Sequence, residues 1–301
     1  MSSTTENIFR SRNHTDASSI IVLDESLETR SAGRCDLLVS VEPHGIQIAL
    51  KERKENRFLA LESFSSDSSG GENYWTELLE KVSANSSLLR KYEFAKVLVN
   101  VHSPTFTFVP DSLFRKGDEL GYLQYHFTLD QDAVVYAEPV SYFQLYSIFA
   151  LPSSLVTELN HLFEDPEIIH HSRSLLESIS MNSRNQNEKQ LFLNFYGNDF
   201  DAVVTEGKKL ILMNSFSCKG IEDSLYFILF LLEQLEMNPE DISVRLAGTI
   251  EKESALYKLL FRYIRNLYFS ERPAPAEYSY GFQSVPGHFY HPLLSLSLCE
   301  S

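Results

Sequence analysis

Cysteine is scarce in this sequence, and the few cysteines present form no recognisable pattern. The chain of 301 residues has three cysteines, Cys35, Cys218 and Cys299, which is an odd number, and they lie far apart in the sequence. No CxxC pair occurs. This spacing argues against a disulfide framework and against a structural zinc site.

Long apolar runs are absent as well. The most apolar stretch, Leu225–Leu232, is far shorter than the roughly 20 residues that cross a bilayer, and it predicts a buried helix. The first 18 residues are polar and lack the apolar core of a secretion signal. We therefore expect a cytoplasmic protein without a membrane span.

Positive charge is in short supply. The chain has 26 Lys and Arg against 41 Asp and Glu, which gives a net charge of −15, and no basic run offsets it. Such a chain repels phosphate backbones, so we do not expect it to bind nucleic acid. Glycine-rich phosphate loops and the GxSxG, HExxH and EF-hand patterns are also missing, and Gly70-Gly71 is interpreted as a turn.

One structural pattern, however, occurs twice. Each copy has three short apolar runs typical of strands, then an amphipathic helical stretch and a fourth apolar run. The runs of the first copy are Asp36–Val41, Gly45–Lys51, Arg57–Phe64 and Phe94–Val101. Those of the second are Gln190–Tyr196, Phe200–Thr205, Lys209–Phe216 and, after a helix from Ile221, Ile242–Ala247. A strand reached through a helix is usually parallel to its neighbour, so the repeat predicts an α/β protein with two like halves.

The remaining segments divide the chain into four parts. Residues 1–35 are predicted to be an N-terminal extension, 36–182 the first half with an inserted element, and 183–270 the second half. Asn182–Lys189 is interpreted as the linker between the halves. Residues 271–301 contain several prolines and glycines but are too aromatic for a free end, so we expect them to pack back on the body.

The duplicated order, with the sequences Glu167–Leu176, Gln190–Phe200 and His288–Glu300, resembles the actin/sugar-kinase/Hsp70 superfamily. Each half of such a protein is a ribonuclease-H-like layer of three antiparallel strands, extended by parallel strands that follow helices. The nearer likeness is to the PilM, type II secretion L and FtsA branch, in which a strand–helix–strand–helix element, here 143–182, is inserted. A bacterial family of unknown function with an actin-like ATPase fold is also similar. The resemblance covers the chain from about residue 36 onwards.

Active members of this superfamily hold ATP between the halves, with an Asp at the end of the first strand and a Gly two positions later. The carboxylates position Mg²⁺ and the attacking water, and the glycine lets backbone N–H groups approach the phosphates. Alignment of the strand ends places Ser40 at the Asp position and Glu42 at the Gly position of the first half. In the second half it places Asn194 at the Asp position and Tyr196 at the Gly position. A glutamate would repel phosphate and a tyrosine would fill its space, so the resemblance implies a degenerate nucleotide cleft.

Three glycines complete this predicted cleft. Gly45 and Gly197 lie in the turns after the first strand of each half. Gly248 lies in Arg245–Ile250, which is similar to the superfamily's adenosine-contacting turn. A second glycine is usual in that turn, and Ala247 stands before the one that remains. A glycine between strand and helix is also common in α/β proteins generally.

Other polar residues permit more than one interpretation. Asp199 or Asp201 could replace the missing carboxylates, or Asn198-Asp199 could form a hairpin turn while Asp201 faces solvent. His161 and the pair His170-His171 could suggest a metal, but adjacent histidines on a strand point to opposite faces. His288 and His291 near Cys299 are interpreted as packed tail residues. No metal site is predicted.

These observations lead us to expect a non-catalytic binding or scaffold protein that uses no cofactor and has a protein partner or associates with itself. The alternative is an ATP-binding protein or ATPase that uses Mg²⁺ with Asp199 or Asp201. A third possibility is a homodimer whose cleft binds a different small molecule.

Overall fold

The computed structural model describes residues 19–24, 27, 34–66, 74–183 and 188–299. The polar first 18 residues, the Gly70-Gly71 turn and residues 184–187 of the predicted linker lie outside this part of the chain.

The described residues form strands and helices in the following order along the chain. The strands are β1 (Ser19–Leu23), β2 (Cys35–Glu42), β3 (Gly45–Glu52), β4 (Arg57–Ser65), β5 (Lys96–Val101), β6 (Phe106–Pro110), β7 (Val134–Val140), β8 (Leu145–Leu151), β9 (Glu167–His170), β10 (Lys189–Tyr196), β11 (Asp199–Glu206), β12 (Lys209–Phe216), β13 (Ser243–Gly248), β14 (Asn266–Phe269) and β15 (Glu277–Tyr278). The helices are α1 (Tyr74–Asn85), α2 (Ser87–Lys91), α3 (Glu119–Gln124), α4 (Ser153–Leu162), α5 (His171–Ser183), α6 (Ile221–Gln234), α7 (Ala255–Leu260) and α8 (His291–Ser295).

Two sheets share one topology, which confirms the predicted duplication. The first has the order β1-β4-β3-β2-β5-β9, with β15 also paired to β4, and the second has the order β12-β11-β10-β13-β14. In both, a three-stranded antiparallel meander is followed by two parallel strands. Strand β2 therefore corresponds to β10, β3 to β11, β4 to β12, β5 to β13 and β9 to β14.

The first sheet is covered on both faces, which explains why its strands are almost continuously apolar. On one face, alternate residues of β2 such as Leu37 and Val39 pack with α1 and α4 in one buried cluster. On the other face, Leu38 and its neighbours pack against Leu293, Leu294 and Leu296 of the C-terminal segment. The expectation that this segment is not a free end agrees with its position in the structure.

The second sheet is buried in the same two-sided way. One face packs against α6 and α7, with Leu193 and Phe195 in the same cluster as Ile228 and Leu260. The opposite face turns toward the first half, because Phe192 and Val203 pack with Val140, Phe143, Leu176 and Ile179. Side chains at alternate positions of β10 and β11 therefore point into the space between the halves.

The inserted element differs from its predicted position at 143–182. Strands β6, β7 and β8 form a separate three-stranded antiparallel sheet in the order β6-β8-β7, with α3 packed against it. Strand β9 instead pairs with β5 and belongs to the first sheet. The order of elements along the chain could not indicate which sheet each strand joins, because pairing is a contact between distant segments.

Among the helices of the described residues, none combines the length and the apolar character needed to cross a membrane.

Candidate functional site

The first hairpin, β2 to β3, places Ser40 and Glu42 of the predicted cleft in a network of hydrogen bonds. Ser40 donates to Glu42 Oε1 at 3.2 Å, and Gln47 donates to Glu42 Oε2 at 2.8 Å. Asn100 of β5 donates to Ser40 Oγ at 3.0 Å. Burial raises the pKa of Glu42 to about 7, although these hydrogen bonds and nearby His102 favour the carboxylate.

The second hairpin, β10 to β11, repeats this arrangement with other residues. Tyr196 donates its phenolic hydrogen to Asp201 Oδ2 at 2.7 Å, and Ser215 of β12 donates to Asp201 Oδ1 at 2.6 Å. Burial, with the charges of Asp201 and Glu42, raises the pKa of Tyr196 well above its usual value. The tyrosine therefore remains a hydrogen-bond donor.

The two networks are related by the register of the hairpins. Ser40 lies opposite Gln47 in the first, and Asn194 lies opposite Asp201 in the second. Glu42 and Tyr196, two residues further on, each bond to that opposite side chain. The duplicated sheets thus bring the same three positions together in each half, and two of these are the positions at which the resemblance predicts an Asp and a Gly in active members.

Two of the three predicted glycines are required by the backbone. A Cβ at Gly248, which has φ +80°, would lie 2.1 Å from the carbonyl oxygen of Phe195. A Cβ at Gly45 would lie 2.1 Å from the carbonyl oxygen of Phe64. No side chain fits either position. Gly197 is held in its turn by a hydrogen bond from its N–H to Thr249 Oγ1 at 2.8 Å.

The two aspartates of the second hairpin lie in different surroundings. Asp199 Oδ1 accepts a hydrogen bond from the backbone N–H of Cys218 at 2.8 Å, and its other oxygen lies 3.6 Å from His44 Nε2. Asp201 is fully buried. The interpretation that Asp201 faces solvent is therefore wrong. Strand β11 is covered on both faces, and the face that carries Asp201 and Val203 is turned toward the first half.

Two histidines of the first half face Asp201. Its Oδ1 atom lies 3.4 Å from the Nε2 atoms of both His102 and His171, whose rings stack at a centroid distance of 4.2 Å. Burial opposes ionisation of Asp201, but the imidazoles of His171 and His102 hold its pKa well below the usual value. Burial lowers the pKa of His171 against the attraction of Asp201. A buried carboxylate beside two imidazoles is thus the most polar point between the halves.

The histidines singled out from the sequence have other partners. His170 ends β9 and His171 begins α5, so the two do not alternate across a strand, and their rings lie 4.2 Å apart. His170 contacts Ser172 Oγ at 2.7 Å and the carbonyl oxygen of Ser103 at 3.0 Å. His161 is exposed on α4. His102, which the sequence reasoning missed, has no motif around it and lies about 100 residues from Asp201 along the chain.

The tail histidines lie in the C-terminal segment between the halves. The ring of His288 contacts the carbonyl of Ile250 at 2.7 Å, and its own carbonyl accepts from the N–H of Gly248 at 2.9 Å. His291 Nε2 lies 3.3 Å from Ser178 Oγ. The only group of three His, Cys, Asp or Glu residues with metal-ligand spacing in the described ranges is His102, His171 and Asp201.

Little space remains where the predicted cleft residues meet. A cavity of about 10 Å³ is lined by residues of both hairpins, the strand-to-helix turn and the tail. They are Glu42, Gln47, Asn194, Phe195, Tyr196, Gly248, Thr249, Phe289, Tyr290 and Pro292. Ser40, Gly45 and Gly197 do not line it. The structure therefore brings Glu42, Asn194, Tyr196 and Gly248 together, as the resemblance implies, but the chain's own C-terminal segment covers them.

Solved structures with similar folds come from several proteins. A Bacteroides thetaiotaomicron protein with an actin-like ATPase fold and unknown function is 23% identical at TM-score 0.70, covering 84% of this chain and 96% of that one. PilM, in the PilM–PilN type IV pilus biogenesis complex, is 14% identical at TM-score 0.62, covering 88% and 98%. The cytoplasmic domain of EpsL from the type II secretion system of Vibrio cholerae is 11% identical at TM-score 0.45, covering 89% and 95%. No curated protein matches the sequence.

The first two of these likenesses confirm the fold predicted from the sequence, including its similarity to PilM. They concern the fold alone, because the sequence identities are low. At the level of sequence, the model of a family described as "Protein of unknown function (DUF3822)" matches residues 24–267. The chain therefore belongs to the DUF3822 family, whose function is unknown, and has the actin-like ATPase fold.

Proposed function

We propose that this chain is a non-catalytic, cytoplasmic binding or scaffold protein that has kept the actin-like fold and lost the nucleotide site. The observation that carries the proposal is the small volume between the two hairpins. The cavity there measures about 10 Å³, whereas sites for small-molecule ligands have volumes of about 300–1,000 Å³. ATP would have to displace the segment that contains Phe289, Tyr290 and Pro292.

The chemistry of the lining residues supports the same proposal. The two strand-end positions hold the neutral side chains Ser40 and Asn194, so neither can position Mg²⁺ as a carboxylate does. Glu42 and Tyr196 are already paired with Gln47 and Asp201. A phosphate at this place would meet one acidic side chain and two phenols, and no basic side chain lines the cavity.

Asp199 and Asp201 are the carboxylates on which the alternative, an ATP-binding protein, depends. Asp201 accepts hydrogen bonds from Tyr196 and Ser215, and Asp199 accepts one from the N–H of Cys218. Neither aspartate lines the cavity between the hairpins. Mg²⁺–ATP would therefore have to displace the tail and open this region before it could reach either carboxylate.

A protein partner is the ligand that we propose for such a scaffold. PilM, which shares the fold, was solved in a complex with PilN. A fold that has lost its small-molecule site can keep a role through its surfaces, and this step rests on analogy with that neighbour.

The first prediction is that nucleotide leaves the stability unchanged. A ligand that binds only the native state raises the melting temperature by mass action. With 5 mM Mg²⁺–ATP we expect a shift below about 1 °C, compared with several degrees for a ligand far above its Kd. Differential scanning fluorimetry with and without Mg²⁺–ATP measures the shift, and Mg²⁺ alone is the matched control.

A clear upward shift with Mg²⁺–ATP would contradict the scaffold proposal. The variants Asp199→Ala and Asp201→Asn then identify the carboxylate involved, because the alternative requires one of them to abolish the shift. Phosphate release measured on the same samples separates ATP binding from hydrolysis.

A further inference from the structure

Three side chains from three separate elements meet between the halves. His102 is the first residue after β5, His171 is the first residue of α5, and Asp201 lies in β11. The first two belong to the first half and the third to the second half. One ligand atom from each residue lies within 4.8 Å of the others.

The separations of these atoms are close to those found around a bound metal ion. Zinc bonds to imidazole nitrogen and carboxylate oxygen measure about 2.0–2.2 Å, so tetrahedral ligand atoms lie roughly 3.4 Å apart. The distance from Asp201 Oδ1 to the Nε2 atom of each histidine is 3.4 Å. Two of the three separations therefore match a tetrahedral metal site, and the third, between the ligand atoms of His102 and His171, is at most 4.8 Å.

The Nε2 atom of His171 has no hydrogen-bond partner among the described residues, although it is buried. Its 3.4 Å contact with Asp201 is too long for a good hydrogen bond. Buried polar atoms nearly always have a partner, so such an atom points to a missing ligand. The other ring nitrogen, Nδ1, faces the backbone and accepts the N–H of Ser103 at 3.4 Å.

The surroundings of Asp201 hold its carboxylate in place. Tyr196 donates to Oδ2 and Ser215 donates to Oδ1. Outer hydrogen bonds of this kind orient a metal-binding carboxylate.

One of the three residues reaches an open cavity. The side chain of His102 is 10% exposed, and it lines a cavity of about 220 Å³ together with Trp75, Ser103 and Thr105. His171 and Asp201 do not line this cavity, so an ion that enters through it meets His102 first.

We propose that His102, His171 and Asp201 bind one divalent transition-metal ion, with zinc as the reference ion. Two imidazoles and one carboxylate favour such a metal over Mg²⁺, which prefers oxygen ligands alone. The ion would connect the halves directly, since its ligands come from both. The proposal does not depend on the scaffold function, and it departs from the expectation of no metal that the sequence suggested.

The experiment uses the full chain after dialysis against EDTA, with circular dichroism to check that it remains folded. Titration with ZnCl₂ in a calorimeter should give one zinc ion per chain, and ZnCl₂ should raise the melting temperature while MgCl₂ should not. Replacement with Co²⁺ gives a second readout, because a cobalt ion with nitrogen ligands absorbs visible light.

The variant His102→Gln removes the most accessible ligand and is therefore the least disruptive test. We expect its zinc affinity to fall by at least about 100-fold, since even the loss of an outer-shell partner costs about 10–100-fold. His161→Gln, at an exposed position on α4, is the matched control and should bind zinc like the wild type.

Two results would overturn the proposal. One is a folded wild-type protein that binds no zinc in the titration. The other is equal zinc affinity in His102→Gln and the wild type, which would mean that any bound zinc lies elsewhere. Asp201→Asn provides a second ligand variant if His102→Gln fails to fold.

Discussion

At the scale of single residues, the predicted cleft is a set of buried polar groups. Several are hydrogen-bonded to one another, whereas the amide of Asn194 and the Oε1 atom of Gln47 have no hydrogen-bond partner among the described residues. The carboxylate of Glu42 accepts hydrogen bonds from Ser40 and Gln47, and Tyr196 donates a hydrogen bond to Asp201. Hydrogen bonds are stronger in a buried site of low dielectric constant, and a buried polar group that loses its partner destabilises the folded state. The protonation of Glu42 should therefore be visible in the stability of the whole protein.

The pH dependence of stability tests this directly. Burial raises the pKa of Glu42 from 4.5 to about 7. Between these two pH values the folded state holds a proton that the unfolded state has lost, so the unfolding free energy falls as pH rises and levels off above about pH 7. The difference between the folded and unfolded pKa values of Glu42 corresponds to a change of about 3 kcal/mol in the unfolding free energy.

Glu42→Gln keeps the side chain neutral at every pH and should remove this decline. We expect the variant to gain up to about 3 kcal/mol relative to the wild type between pH 4.5 and 7.5. Urea unfolding at pH 5, 6, 7 and 8 measures the difference. Glu80→Gln, on the exposed side of α1, is the control, and a constant difference for Glu42→Gln across this range would refute the expectation.

At the scale of elements, the C-terminal segment acts as a layer of the fold. Residues Leu293, Leu294 and Leu296 cover the face of the first sheet that α1 and α4 leave free. Helix α8 is too short to be stable alone, so it owes its structure to this packing. Arg173 of α5 also donates a hydrogen bond to the carbonyl of Cys299 at 3.2 Å.

Truncation of a buried side chain in the C-terminal segment should therefore lower the unfolding free energy as much as truncation of a side chain in the centre of a sheet. We expect Leu294→Ala to lower the unfolding free energy by about 2–5 kcal/mol, because it leaves a cavity against β2. Leu113→Ala, whose side chain is 64% exposed, is the matched control and should change it by less than about 0.5 kcal/mol. Chemical denaturation measures both, and equal small effects would mean that the tail is dispensable.

At the scale of the whole molecule, the halves are joined by more than the chain. An apolar cluster links Val140, Phe143, Leu176 and Ile179 of the first half to Phe192 and Val203 of the second. The tail contacts both halves through Gly248 and the first sheet. Unfolding of one half would expose apolar surface of the other.

We therefore expect the protein to unfold as a single cooperative unit. Differential scanning calorimetry should show one transition whose calorimetric enthalpy equals the van't Hoff enthalpy. Two resolved transitions would mean that the halves are independent, and that the contact between them contributes little to stability.

Sequence patterns predicted the elements well where the physical cause is local. The alternation of apolar residues and the turn residues identified the strands of both halves, and the repeated order of those strands identified the duplicated fold. The sequence also shows Ser40, Glu42, Asn194 and Tyr196 where the resemblance predicts an Asp and a Gly, because this comparison concerns residue types at predicted strand ends. The position of the inserted sheet could not be predicted from the sequence, because strand pairing joins distant segments.

By itself, the sequence determined the composition of the strands, their order and the absence of a nucleotide-binding pattern. Only the tertiary structure decided that the tail covers the space between the hairpins, and that Asp201 is buried beside His102 and His171. These contacts join segments 30 to 250 residues apart, and they depend on which faces of the two sheets meet. Local periodicity determines which side chains of a strand point to the same face of its sheet. Which faces of the two sheets pack together depends on the burial of apolar area across the whole molecule.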